Sequence, residues 1–131
     1  MKRSGVLNQP VSTVIAGMGH LDMLVIADAG LPIPWETNRI DLALKKGVPG
    51  FLETLKVVLD ELKVETAVVA KEIYSASPKM AENIEELLEE VPIRKLSHEE
   101  FKRMTKNAKA VVRTGEFTPY ANIILIAGVV F

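Results

Sequence analysis

The chain has 131 residues, 48% of them hydrophobic and 25% charged, which fits one folded domain over 1–131 and excludes a disordered chain. Lys plus Arg number 16 against 17 Asp plus Glu, and no basic block provides the footprint of a nucleic-acid binder. Cysteine is absent and only two histidines are present, which removes disulfides, thiolate nucleophiles and multi-histidine metal centres.

The longest apolar run, Ile123 to Phe131, is about half the length a membrane-crossing helix needs. Ser4 to Gln9 does not supply the apolar core of a secretory signal. A cytoplasmic protein with no membrane partner is the expectation. The apolar fraction is generous for so short a chain and points to surface buried between subunits of a homo-oligomer.

Asn8 caps a predicted first helix from Gln9 to about Met18, with Pro10 in its opening turn. Gly17 and Gly19 break it before His20. Met23 to Ala27 reads as a buried strand ending at Asp28. Gly30, Pro32 and Pro34 make Ala29 to Asn38 a loop, and a second strand covers Arg39 to Leu44. Phe51 to Leu62 carries an apolar helical stripe, and Glu65 to Ala70 is a β-branched strand. Ser77-Pro78 opens a helix with Met80, Ile84, Leu87 and Leu88 on its inner face. Val91 to Leu96 is a short strand. Ser97 to Glu100 has capping-box spacing and opens a helix through Phe101 and Met104. Lys109 to Arg113 and Ile123 to Val129 are the last strands.

This alternation defines an α/β fold: a three-layer α/β/α domain with a mixed sheet of about six strands. The first two strands lack an intervening helix, which argues against a purely parallel sheet. Gly17-Met18-Gly19 precedes a strand rather than following one, so it is no dinucleotide-binding loop.

Polar residues in unusual settings gather at strand ends and turns. His20 follows Gly-x-Gly. Asp28 stands at the carboxyl end of an apolar strand, where ligands commonly bind in α/β sheets. His98 opens a helix, and Tyr120 and Asn122 frame the start of the last strand. Each also has a plain structural reading as a cap, a packing residue or a solvated side chain. These residue types suit proton transfer and hydroxyl recognition, and by themselves they name no reaction.

Those same residues carry a resemblance. Gly19-His20-Leu21-Asp22, Asp28 to Pro34 (DAGLPIP), His98 to Lys102 and Arg113 to Asn122 (RTGEFTPYAN) resemble the D-ribose pyranase family, in order and over essentially the whole chain. Val6-Leu7-Asn8 and the closing Ala127 to Phe131 fit as well. The resemblance implies that His20 is the catalytic acid and that Asp28, His98, Tyr120 and Asn122 bind the sugar, with Ala121 adding backbone contacts. It implies no metal and no cofactor, D-ribose as the ligand, and a homodecamer of two stacked pentameric rings with sites at subunit boundaries. Leu21 departs from the family, whose members often carry threonine there. The neighbouring fucose mutarotases share the Gly-His and Tyr-x-Asn features but lack the continuation seen at Gly30 to Pro34. A fucose-type mutarotase and a non-catalytic sugar-binding module are the alternatives.

Overall fold

In the computed structural model, which describes residues 1–131, apolar strands and amphipathic helices alternate around one sheet. The chain runs α1 (Gln9–Gly17), β1 (Met23–Ala27), β2 (Arg39–Asp41), α2 (Phe51–Leu59), β3 (Val64–Ala70) and a short α3 (Ile73–Ala76). It continues with α4 (Pro78–Leu88), β4 (Ile93–Leu96), α5 (His98–Met104), a 3-10 turn at Thr105–Asn107, β5 (Ala110–Arg113) and β6 (Ile123–Ala127). Asn8 caps α1 by accepting the Val11 N–H at 3.0 Å, and Ser97 caps α5 by accepting the Glu100 N–H at 3.2 Å.

Several ends fall short of the sequence reading. β2 stops at Asp41, whose Oδ1 accepts the Ala43 N–H at 3.0 Å, and its last bond to β5 runs from the Leu42 N–H to the Arg113 carbonyl at 2.9 Å. Leu62 lies beyond the end of α2, although it is still buried with that helix's inner face. β4 and β6 are likewise shorter than expected, and α3 was not anticipated.

The strand order is β2-β5-β1-β6-β3-β4. β1 and β2 both pair parallel with β5, which lies between them, and β3 pairs parallel with β4. β6 runs antiparallel to both β1 and β3. The sheet is therefore mixed, as expected, but the reversal lies in the last strand and not in the first two.

Alternate strand residues feed two cores, as a period of two requires. On one face Leu24, Ile26, Ala67, Val69, Ile123 and Leu125 meet Val11 of α1, Phe51 and Leu55 of α2 and Ile84 of α4 in a cluster of 22 buried residues. On the other, Val25, Ala27, Val68, Ala70, Val111 and Ile124 meet Phe101 of α5 and Leu31 in a cluster of 8. Both faces of the central strands are dry, which is why their sequences read as unbroken apolar runs. The layers are unequal: α5 and the Leu31 loop cover a face opposite one covered by three long helices.

The segment after β5 is held by close backbone packing. A Cβ on Gly115 would lie 2.5 Å from the Lys45 carbonyl oxygen and 2.7 Å from the Val48 nitrogen. The Gly115 N–H donates to the Pro49 carbonyl at 2.9 Å, and its own carbonyl accepts the Gly47 N–H at 2.7 Å. Gly115→Ala must push the 45–49 turn aside and should cost about 1–3 kcal/mol, the usual penalty of overpacking. A lowered midpoint in thermal or urea unfolding checks this; an unchanged midpoint would mean that the turn yields freely.

Candidate active site

Five parallel strands point one way, so their carboxyl ends share one edge of the sheet, and β6 begins at that edge. Asp28 follows β1 there. Asn122, 1% exposed, precedes β6 and grips it. Asn122 Oδ1 accepts the Asp28 N–H at 2.8 Å, and Asn122 Nδ2 donates to Asp28 Oδ2 at 3.0 Å. Asp28 Oδ1 accepts the Gly30 N–H at 2.9 Å. Both ends of the amide are committed to Asp28, so Asn122 orients that carboxylate.

Tyr120 reaches the same edge through a left-handed backbone, φ 62°, that turns the chain into β6. Its ring stands edge-on to the His98 imidazole, with centroids 5.0 Å apart and planes at 84°. Ala121 between them is fully buried. His98 opens α5, and its backbone N–H donates to both Glu72 oxygens at 2.9 and 3.1 Å. The His98 Nδ1 atom is buried and has no hydrogen-bond partner within the chain. An open hollow of about 400 Å³ adjoins Asp28, lined also by Ala29, Gly30, Arg113, Glu116 and the exposed Phe117.

Charged side chains brace this edge. Arg113 donates from Nε to the Ala29 carbonyl at 3.1 Å and from Nη1 to Asp41 at 3.1 and 3.2 Å. Burial works to raise the Glu116 carboxyl, but N–H donation from Phe51 and the Thr118 hydroxyl and N–H outweigh it, leaving the group below the usual range. The His98 N–H holds Glu72 below its ordinary value in the same way, against a smaller opposing effect of burial.

His20 is not at this edge. It precedes β1, so at least the five-residue length of that strand, about 17 Å at the usual rise, separates it from Asp28. Leu21 takes a left-handed conformation, φ 70°, and its N–H donates to the Ala127 carbonyl at 2.8 Å. Asp22 braces the turn by accepting the Gly19 N–H at 2.9 Å. The exposed His20 ring brings Nε2 to 3.1 Å from Glu65 Oε2 and 3.3 Å from Oε1. Each chain thus carries two separate clusters: Asp28, His98, Tyr120, Ala121 and Asn122 at one edge, His20 with Glu65 at the other.

Sequence reading passed over Glu72, Arg113, Glu116 and Glu65. Arg113 closes β5, Glu72 and Glu116 follow the carboxyl ends of β3 and β5, and the rule that found Asp28 applies to them equally. Nothing in the sequence marks Glu65.

The chain belongs to the RbsD / FucU transport protein family, whose model matches residues 1–130. It is 58% identical, over the full length of both chains, to a D-ribose pyranase of Clostridium perfringens. Among solved structures it resembles Bacillus subtilis RbsD complexed with D-ribose, at 52% identity and TM-score 0.97 over 100% of both chains. It also resembles the fucose mutarotase of Streptococcus pneumoniae in complex with L-fucose, at 27% identity and TM-score 0.79 over 95% of each chain. No helix is long and apolar enough to cross a membrane.

Glu72 gives a prediction with a definite sign. Its carboxyl is depressed in the folded state, so its contribution is present above the unfolded value and is lost as pH falls through the folded one. Glu72→Gln should therefore lower stability at neutral pH and flatten its decline through the carboxylate range. Urea unfolding of both proteins at neutral and acid pH checks this, and parallel pH curves would show that the His98 N–H does not depend on that charge.

Proposed function

We propose that this chain is an isomerase that interconverts the β-pyranose and β-furanose forms of D-ribose, as a single cytoplasmic domain over residues 1–131. The observation that carries the reading is the full-length likeness to a ribose-bound relative, closer in sequence and in backbone than the likeness to the fucose enzyme. The residues suit the chemistry. Ring opening takes a proton from the anomeric hydroxyl and gives one to the ring oxygen; closure repeats the exchange with a different hydroxyl. Both are proton transfers, and positioned acid/base groups contribute about 10²–10⁴-fold to such steps.

In this reading His20 protonates the ring oxygen and recovers a proton on closure. Asp28, fixed by Asn122 and the Gly30 N–H, accepts hydrogen bonds from sugar hydroxyls. The unpartnered His98 Nδ1 offers a bond that a hydroxyl would complete, and Tyr120 lies against it. Tyr120, Ala121 and Asn122 hold the sugar through the segment that opens β6.

His20 cannot reach Asp28 of its own chain, so the complete site joins His20 of one subunit to the Asp28 cluster of the next. Exposed apolar side chains flank both halves: Leu21 next to His20, and Phe117 beside Asp28. Surfaces of that kind are commonly covered by a partner. The assembly is a ring, a homodecamer of two stacked pentamers.

Saturation-transfer NMR on D-ribose at equilibrium tests the activity. Added protein should speed pyranose–furanose exchange, and His20→Ala should lose most of that acceleration, on the order of 10²-fold or more. Ribose bound without acceleration would favour a sugar-binding module; acceleration with L-fucose alone would favour the mutarotase. A second measurement tests the composite site. His20→Ala and Asp28→Ala proteins, each inactive, should regain activity when dissociated and reassembled together, with about one quarter of sites carrying neither lesion. No recovery in verified mixed rings would place both residues' sites within one chain.

A further inference from the structure

The Glu65 carboxylate faces His20 because three local features converge on it. The β3–β6 register shifts between Val64 and Thr66, so Glu65 is the extra residue of a bulge, the kind of irregularity that re-aims a side chain. Gly128, just past β6, closes on that bulge: a Cβ there would lie 3.1 Å from the Glu65 Cβ, and its N–H donates to the Lys63 carbonyl at 2.9 Å. The Gly19–Asp22 turn is tied to the same end of β6, through Leu21 N–H to the Ala127 carbonyl and Ala127 N–H to the Asp22 carbonyl at 2.9 Å. The bulge and the turn are thus both fixed to β6.

The other charged groups nearby do not compete for the ring. Asp22 is engaged by the Gly19 N–H and stands 3.6 Å from Lys109. Lys63, Glu89 and Glu90 line a neighbouring hollow with Glu65 and make no hydrogen bond or ion pair with His20. Glu65 is the group in hydrogen-bond reach of Nε2.

We propose that Glu65 is the positioning residue for His20: its carboxylate accepts the Nε2–H, holds the ring plane, and leaves Nδ1 as the nitrogen that meets the sugar. This rests on the assignment of His20 as the acid. With both ring nitrogens protonated, His20 gives its Nδ1 proton to the ring oxygen as the bond between that oxygen and the anomeric carbon breaks, and the anomeric hydroxyl releases its proton to water. On closure Nδ1 takes a proton back from the attacking hydroxyl, the aldehyde oxygen regains one from water to become the new anomeric hydroxyl, and Nε2 keeps its proton throughout. A carboxylate that fixes a histidine tautomer and orientation in this way contributes to turnover without touching substrate.

The test applies ribose saturation transfer to the assembled protein carrying Glu65→Ala, Glu65→Gln or His20→Ala, with heteronuclear NMR of the His20 ring nitrogens. In the unaltered protein the neutral ring should be protonated at Nε2 and bare at Nδ1. Glu65→Ala should lower kcat about tenfold with KM nearly unchanged, and should move the ring nitrogens toward a tautomer mixture. Glu65→Gln, whose carbonyl accepts the same bond, should regain much of the rate. If Glu65→Ala turns over normally, or slows while the His20 nitrogens stay unmoved, the inference is wrong and the acid assignment survives. If His20→Ala itself turns over normally, the acid assignment falls and takes this inference with it.

Discussion

β6 lies between β1 and β3 and runs against both, and the meeting of the segment 120–122 with Asp28 follows from that reversal. A strand that ran with its neighbours would begin at the edge where they begin. Because β6 runs the other way, the segment that opens it delivers Tyr120, Ala121 and Asn122 to the edge where β1 delivers Asp28. Its far end carries Gly128 onto Glu65 and ties down the turn that bears His20. The pairing of Ile26 with Ile123 sets Asn122 against Asp28, and both faces of the strand are packed. A slip of one residue would exchange the two faces and part the Asn122–Asp28 pair, so core packing and site geometry are enforced by the same register.

Much of this was legible in the sequence, where short-range signals were strong. Met23 to Ala27 is five apolar residues between Asp22 and Asp28, and the strand occupies those five. The Asn8 and Ser97 caps were readable because capping is local chemistry. Asp28, Tyr120 and Asn122 were readable as polar residues at strand ends. What failed was long-range or too short for a period to show. α3 has only four residues, and β2 ends on a side-chain hydrogen bond that composition does not reveal. The separation of His20 from the other site residues depends on strand direction and order. So does the partnership with Glu65, which lies 45 positions away in sequence.

Carboxylates knit this chain by a repeated device. Glu61 accepts the Val6 N–H, Glu53 the Gly50 N–H, Glu116 the Phe51 N–H and Glu72 the His98 N–H. Three of these N–H groups belong to residues at the openings of α2 and α5, where unsatisfied donors and the helix dipole both favour an anion. Glu61, Glu72 and Glu116 are all held below the usual range, each chiefly stabilised by N–H donation. Apart from the local Gly50–Glu53 pair these bonds couple segments distant in sequence: one ties the loop before Tyr120 to α2, and another ties the opening of α5 at His98 to the segment after β3.

The left-handed backbone at Leu21 and Tyr120 has a consequence for how this fold can be improved or evolve. A side-chain-bearing residue in a sparsely populated conformation costs on the order of 1–3 kcal/mol, and glycine would remove the penalty at either place. One of these residues adjoins His20, and the other supplies the ring against His98. At position 21 the backbone makes the anchoring bond, so a glycine would keep the turn and give up only the apolar side chain beside His20. At position 120 relief would remove the ring itself. The two kinks have similar geometry but different freedom: one holds its turn through the backbone, while the other exists to set an aromatic ring against His98.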